Sequence, residues 1–168
     1  MEKISVKIED KEILVNFWKT NKENLKGIFY IHHGMAEHIE RYDYVAKKLN
    51  NHGYSVAGYD QLGHGYNQAE GKGIFAKSGG WNKVIKEATA VSNHFYNLYP
   101  SSSSYLLGHS MGSFISMNVA NNIKNLKGIF LTGTYLPTKI EIYLLKFLLR
   151  FERIFSSRNN VSKVHKIC

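Results

Sequence analysis

Cysteine and proline are nearly absent from this chain of 168 residues: the one cysteine is Cys168, and the two prolines are Pro100 and Pro137. A single thiol forms no intrachain disulfide, which excludes a disulfide scaffold. Long apolar runs are missing as well. The longest apolar stretch, residues 140–155, carries Glu141, Lys146, Arg150, Glu152 and Arg153. A membrane-spanning helix needs about 20 mostly uncharged residues, so none is expected. The first ten residues mix charged and apolar side chains without an uninterrupted apolar segment, which argues against a secretory signal and for a cytoplasmic location. Acidic residues are scarce, 13 against 22 basic ones, for a net charge of +9. Seven of the basic residues fall between Lys139 and Cys168, where only Glu141 and Glu152 oppose them. No zinc-finger spacing, aromatic RNA-binding signature or basic dimerisation helix accompanies that charge, so no nucleic-acid partner is expected. His32, His33 and His38 lie close together, but no second cluster completes a four-coordinate set, and no metal is expected.

What is present fits a globular domain with one core: 43% of residues are apolar and 21% charged. Residues 4–8 and 13–18 read as two strands of a hairpin. The run at 27–31 is short and continuously apolar, as in a strand buried on both faces of a parallel sheet. A helix is predicted over 39–50, with Tyr42, Val45, Ala46 and Leu49 at helical spacing and Gly53 as its stop. A strand at 54–59 follows, then a glycine-rich stretch, then a helix over 81–99 stopped by Pro100. Residues 105–107 form a third buried strand, 111–122 an apolar helix, and 128–131 a fourth strand. Strands alternating with helices define an α/β class with parallel strands and ligands at their carboxyl ends.

Directly after the strand at 105–107 stands Gly108-His109-Ser110-Met111-Gly112. A Gly-x-Ser-x-Gly segment between a buried strand and an apolar helix is the setting of a nucleophile elbow. There the serine is lifted into the open on a sharp turn, and the two glycines leave room for neighbouring backbone. The N-terminus of the next helix favours negative charge developing on an attacked carbonyl oxygen.

A second segment, His33-Gly34-Met35-Ala36-Glu37-His38 with Arg41-Tyr42, follows the strand at 27–31, and Asp60-Gln61-Leu62-Gly63-His64-Gly65 follows the strand at 54–59. In this order the three motifs resemble the monoacylglycerol lipase and lysophospholipase group of α/β-hydrolases over about residues 10–135. The run Gly73-Ile74-Phe75-Ala76 with Gly80-Trp81-Asn82 is similar to the bacterial lysophospholipase branch. The resemblance implies a serine hydrolase of fatty-acyl esters working through an acyl-enzyme on Ser110, without a cofactor. It further implies backbone N–H donors of Met35 and Met111 as an oxyanion hole, supported by His33, Gly34, Gly108, His109 and Gly112. Some relatives carry the name serine aminopeptidase, so ester and amide substrates both stay open. Asp60 and His64 are expected to serve architecture, and Glu37 and His38 to cap or brace the oxyanion loop.

A serine hydrolase of this fold draws its acid and base from residues after the nucleophile. After Ser110 this sequence has only Glu141, Glu152 and His165. No triad acid or histidine is therefore assigned. The expectation is the N-terminal part of an α/β-hydrolase core over residues 1–133, with the beginning of a cap and a divergent basic tail over 134–168. The alternative is a non-catalytic truncated or frameshifted fragment, or one completed by a second chain. Lys146, Arg150 and Arg153 form a basic stripe on a predicted helix over 140–155, a pattern suited to an anionic membrane surface. Residues 128–131 are expected to leave an unpaired apolar sheet edge.

Overall fold

A computed structural model describes residues 1–68, 71–135, 138–143 and 146. The first two strands, β1 (Glu2–Ile8) and β2 (Lys11–Trp18), form an antiparallel hairpin whose tight turn places Glu9 at φ 53°. Next come β3 (Gly27–His32), a 3-10 turn (Ile39–Tyr42), α1 (Asp43–Asn51) and β4 (Tyr54–Tyr59). They are followed by α2 (Gly80–Leu98), β5 (Ser104–His109), α3 (Met111–Val119), a second 3-10 turn (Ala120–Asn122) and β6 (Leu126–Thr132).

The six strands make one sheet in the order β1-β2-β4-β3-β5-β6. β2 runs antiparallel to β4, while β3 pairs in parallel with β4 and β5, and β5 with β6. Because successive strand residues face opposite sides, the apolar run in β3 serves two cores at once. Ile28 and Tyr30 join Val15, Phe17, Leu106, Val84, Val91, Phe95 and Ile115 on the face of α2 and α3. Phe29 and Ile31 join Trp18, Val56, Ile39 and Ala46 on the face of α1. Buried Glu87 of α2 ties the layers together: it pairs with Lys11 and accepts Asn67 Nδ2 at 3.0 Å. Burial raises its pKa, and Lys11 and Asn67 pull the other way.

Three sequence expectations need correction. The helix expected over 39–50 opens as a 3-10 turn and becomes α-helical only at Asp43. Of its predicted inward residues Ala46 alone is buried, while Tyr42 and Leu49 are half-buried and Val45 is exposed, because the helix meets the sheet along one narrow line. The strand expected to be buried at 105–107 is buried at Leu106 only, and Tyr105 and Leu107 are half-buried.

Residues Met1–Thr134 form one compact unit and Tyr135–Cys168 another. In the second unit a helix begins at 139 behind a capping box: Thr138 Oγ1 accepts the Glu141 N–H at 3.3 Å, and Glu141 Oε2 accepts the Thr138 N–H at 2.7 Å. Arg150 and Arg153 of the basic stripe, with Glu152, His165 and Cys168, lie outside the described residues. Among the described residues no helix is long and apolar enough to cross a membrane, and no cluster of potential metal ligands occurs.

Candidate functional site

Ser110 stands between the end of β5 and the start of α3, half-buried, with φ 50° and ψ −116°. A non-glycine residue in this region stores about 1–3 kcal/mol of backbone strain and persists only where its surroundings over-determine it. Here they do. The Ser110 N–H donates to Thr132 O at 2.9 Å, the Ser110 carbonyl accepts the Ser113 N–H at 2.9 Å, and the Ser113 hydroxyl bonds Gly108 O at 2.9 Å and Thr132 O at 3.0 Å. A Cβ on Gly112 would fall onto the His32 carbonyl, and one on Gly108 would strike the Gly112 carbonyl. Both glycines are thus required by backbone crossing backbone. Ser110 is the N-cap of α3 without a side-chain capping bond, which leaves its hydroxyl unspent on the helix.

The loop after β3 is braced by two side chains. His33, fully buried, donates from Nδ1 to Gly34 O at 2.7 Å and accepts the Gln61 N–H on Nε2 at 2.8 Å. This pairing requires the neutral ring, and burial lowers its pKa in the same sense, against the pull of the Gly34 carbonyl. Glu37 accepts the Gly34 N–H and the Tyr42 hydroxyl, the latter at 2.9 Å, and pairs with Arg41 at 3.2 Å. Burial pushes the Glu37 carboxyl up, but the Gly34 and Tyr42 hydrogen bonds and the charges of His109 and Arg41 outweigh it, and the pKa ends below the ordinary value. Between these braces Ala36 adopts φ 60°, and Met35 is 69% exposed. Gly34 lies against the elbow, since a Cβ there would come within 3.1 Å of the His109 ring. Met111, by contrast, is buried at the first turn of α3, where backbone N–H groups have no partner within the helix.

The remaining candidates are committed elsewhere. Asp60 accepts the Ile39 N–H on Oδ1 at 2.8 Å and the Tyr66 N–H on Oδ2 at 2.9 Å, closing the turn in which Gly65 has no room for a Cβ. His64 donates from Nδ1 to Leu62 O at 2.9 Å. Asp60 and His64 therefore brace a turn and do not bond each other. His109 Nδ1 bonds Thr132 Oγ1 at 3.0 Å. His38 departs from expectation: it is exposed and makes no side-chain cap, because Glu37 already holds the loop. Sequence reading also missed His32 as a packing element. Fully buried, it bonds Ser116 Oγ at 2.8 Å, and burial, with the neighbouring His33, lowers its pKa to about 3. Ser113 and Ser116, one turn apart on an apolar helix, were the available signal. No histidine or carboxylate among the described residues is hydrogen-bonded to the Ser110 hydroxyl. Two surface depressions, one around Asn82, Thr89 and Asn122 and one around Lys22, Lys26 and His52, include neither Ser110 nor Met35.

A mostly parallel sheet opened by an antiparallel hairpin, with a strained serine between β5 and α3, is the N-terminal part of an α/β-hydrolase fold. Residues 23–166 match the family described as serine aminopeptidase, S33, and the chain belongs to that family. It is 30% identical over 119 residues to a monoglyceride lipase homolog of Monkeypox virus, covering 71% of this chain and 41% of that protein. It is likewise 30% identical over 115 residues to the monoglyceride lipase of Rattus norvegicus, covering 68% and 36%. Among solved structures, a thermostable carboxyl esterase from Bacillus coagulans superposes with a TM-score of 0.79 at 23% identity, covering 95% of this chain and 53% of that one. The monoglyceride lipase of Saccharomyces cerevisiae superposes with a TM-score of 0.67 at 19% identity, covering 96% and 55%. The chain thus spans well under half of these curated relatives and about half of these solved structures.

Proposed function

We propose that the chain carries the nucleophile half of a serine hydrolase acting on fatty-acyl esters of the monoacylglycerol or lysophospholipid type. The observation that carries this reading is Ser110 at φ 50° in a turn whose two glycines cannot be replaced, beside a helix N-terminus. Ser110 Oγ attacks the acyl carbonyl carbon and gives its proton to a base. The carbonyl oxygen takes up negative charge facing the backbone N–H groups of Met35 and Met111. Collapse expels the alcohol, which takes a proton, and water then cleaves the acyl-serine. A well-placed oxyanion donor contributes about 2.7–4 kcal/mol to the barrier reduction. His33, Gly34, Gly108, His109 and Gly112 hold this arrangement, and no cofactor enters the chemistry. In this reading residues 134–168 begin a cap, and the stripe of Lys146, Arg150 and Arg153 meets anionic lipid at a membrane surface.

Among the described residues no base or acid is grouped around Ser110. His33 and His64 are spent on backbone, and His109 bonds Thr132. That observation supports a second reading, a non-catalytic member of the family, retained for binding. Fatty-acid release from monoacylglycerol and lysophospholipid, measured beside Ser110→Ala, separates the two. The first reading expects slow release that Ser110→Ala abolishes, and equal rates in the two proteins would leave the second. Parallel assays on an aminoacyl amide decide between ester and amide.

A further inference from the structure

We propose that His32 and Ser116 are a positioning pair: their hydrogen bond sets the spacing between the backbone N–H groups of Met35 and Met111, the two donors that the proposed mechanism turns toward the oxyanion. The catalytic half of this proposal rests on Ser110 acting as a nucleophile, and the positional half does not. The two donors belong to different elements. Met35 stands three residues beyond the end of β3, and Met111 opens α3. No local turn holds one against the other, so their spacing follows from how α3 crosses the carboxyl end of β3.

His32, the last residue of β3, enters that crossing twice. Its carbonyl lies where a Cβ on Gly112 would fall. This contact limits how near α3 comes, but not how far it slides or tilts. The ring supplies the attraction: His32 Nδ1 and Ser116 Oγ share a hydrogen bond of 2.8 Å. Gly112 and Ser116 are four residues apart and so lie on one face of the helix, one turn from each other. Two points on α3 are thereby tied to one residue of β3, which fixes the height and the tilt of the helix together. Ile28, Tyr30, Ile115 and Val119 share the core beneath, and apolar packing has no direction of its own. Both partners are buried, His32 at 2% and Ser116 at 0% exposure, so neither has water as an alternative partner if the helix moves. Ser116 is also unlike the hydroxyls of α2. Thr89 and Ser92 bond carbonyls of their own helix, whereas Ser116 bonds across to β3.

The test uses the full chain with isotope in its methionine nitrogens alone. The methionines are Met1, Met35, Met111 and Met117, so the amides of the two donors are read individually by NMR. Ser116→Ala and His32→Leu should each shift the Met35 amide, which neither substitution touches. Each should also slow fluorophosphonate labelling of Ser110 about tenfold, part of the roughly 10²–10³ that a whole oxyanion donor supplies. The double variant should be no slower than either single one. His32→Asn, whose amide takes the place of Nδ1, should return both readouts toward wild type. Circular dichroism checks that each protein is folded, and if Ser116→Ala is not, His32→Leu against His32→Asn makes the same comparison. A Met35 amide unmoved by losing the pair, losses that add in the double variant, or no recovery in His32→Asn overturns the proposal. Unchanged labelling beside a shifted Met35 amide overturns its catalytic half. A wild type that labels no faster than Ser110→Ala overturns the nucleophile reading instead, and the Met35 amide still decides the positional half.

Discussion

At the carboxyl ends of β3, β4 and β5, His32, His33, Glu37, Asp60 and Ser113 each have hydrogen-bond partners, and Gly108 and Gly112 are packed against backbone. One strand further out, β6 leaves Ile129 and Phe130 half in solvent. The first region holds Ser110 against backbone strain, and that is possible only where every neighbouring group is tied down. The second makes one row of ladder bonds along its length, and only Thr132 at its carboxyl end reaches the turn that holds Ser110. Preorganisation in this chain is therefore concentrated in the loops that hold Ser110 and reaches the outer strand only at Thr132.

The sharpest contrast comes from Gly112→Ala. Its Cβ would coincide with the His32 carbonyl, so we expect a loss of about 3 kcal/mol in urea unfolding, at the upper end of overpacking costs. A loss below 1 kcal/mol would mean that the crossing of α3 over β3 can relax.

His32 gives the next effect, through pH. In the fold its pKa is pushed down to about 3 by burial. In the unfolded chain it titrates at about 6.5, so between these values the unfolded state holds the extra proton. Its contribution is complete above about pH 6.5 and is lost as pH falls through the window, about 2 kcal/mol by pH 5. Glu87, raised by burial, acts in the opposite sense, favouring the fold as pH falls. The His32 share is therefore read as the difference in slope between the wild type and His32→Asn. Equal slopes would remove histidine burial from the account.

Ser110→Gly should raise stability over Ser110→Ala by about 1 kcal/mol, because glycine adopts φ 50° without strain. No difference between the two would mean that the elbow stores no strain. On β6, Ile129→Thr at low protein concentration should stay within about 0.5 kcal/mol of wild type, as expected of a half-exposed edge position. A cost as large as that of Gly112→Ala would erase the contrast between the two regions.

Much of this was legible in the sequence, for identifiable reasons. Short apolar runs with glycine or proline punctuation located the strands and helices, most directly β3 and β4, where burial on both faces leaves little choice of side chain. The elbow showed through its glycines, whose need is a backbone collision that no other residue tolerates. Less legible were the partners of single polar atoms. Glu37 and His38 stand side by side with similar chemistry, yet one holds Gly34, Arg41 and Tyr42 while the other faces solvent. The 3-10 opening before α1 was hidden for a similar reason: Asp60, from a distant turn, captures the Ile39 N–H. Long-range bonds of that kind carry no local sequence period.

The central proposal is that Ser110 is a nucleophile placed by its backbone. Intact-mass labelling with a fluorophosphonate, with and without added imidazole, tests it most directly. The account predicts a slow single adduct on Ser110 that imidazole accelerates and Ser110→Ala abolishes. No adduct at Ser110 under either condition, in folded protein, would contradict it.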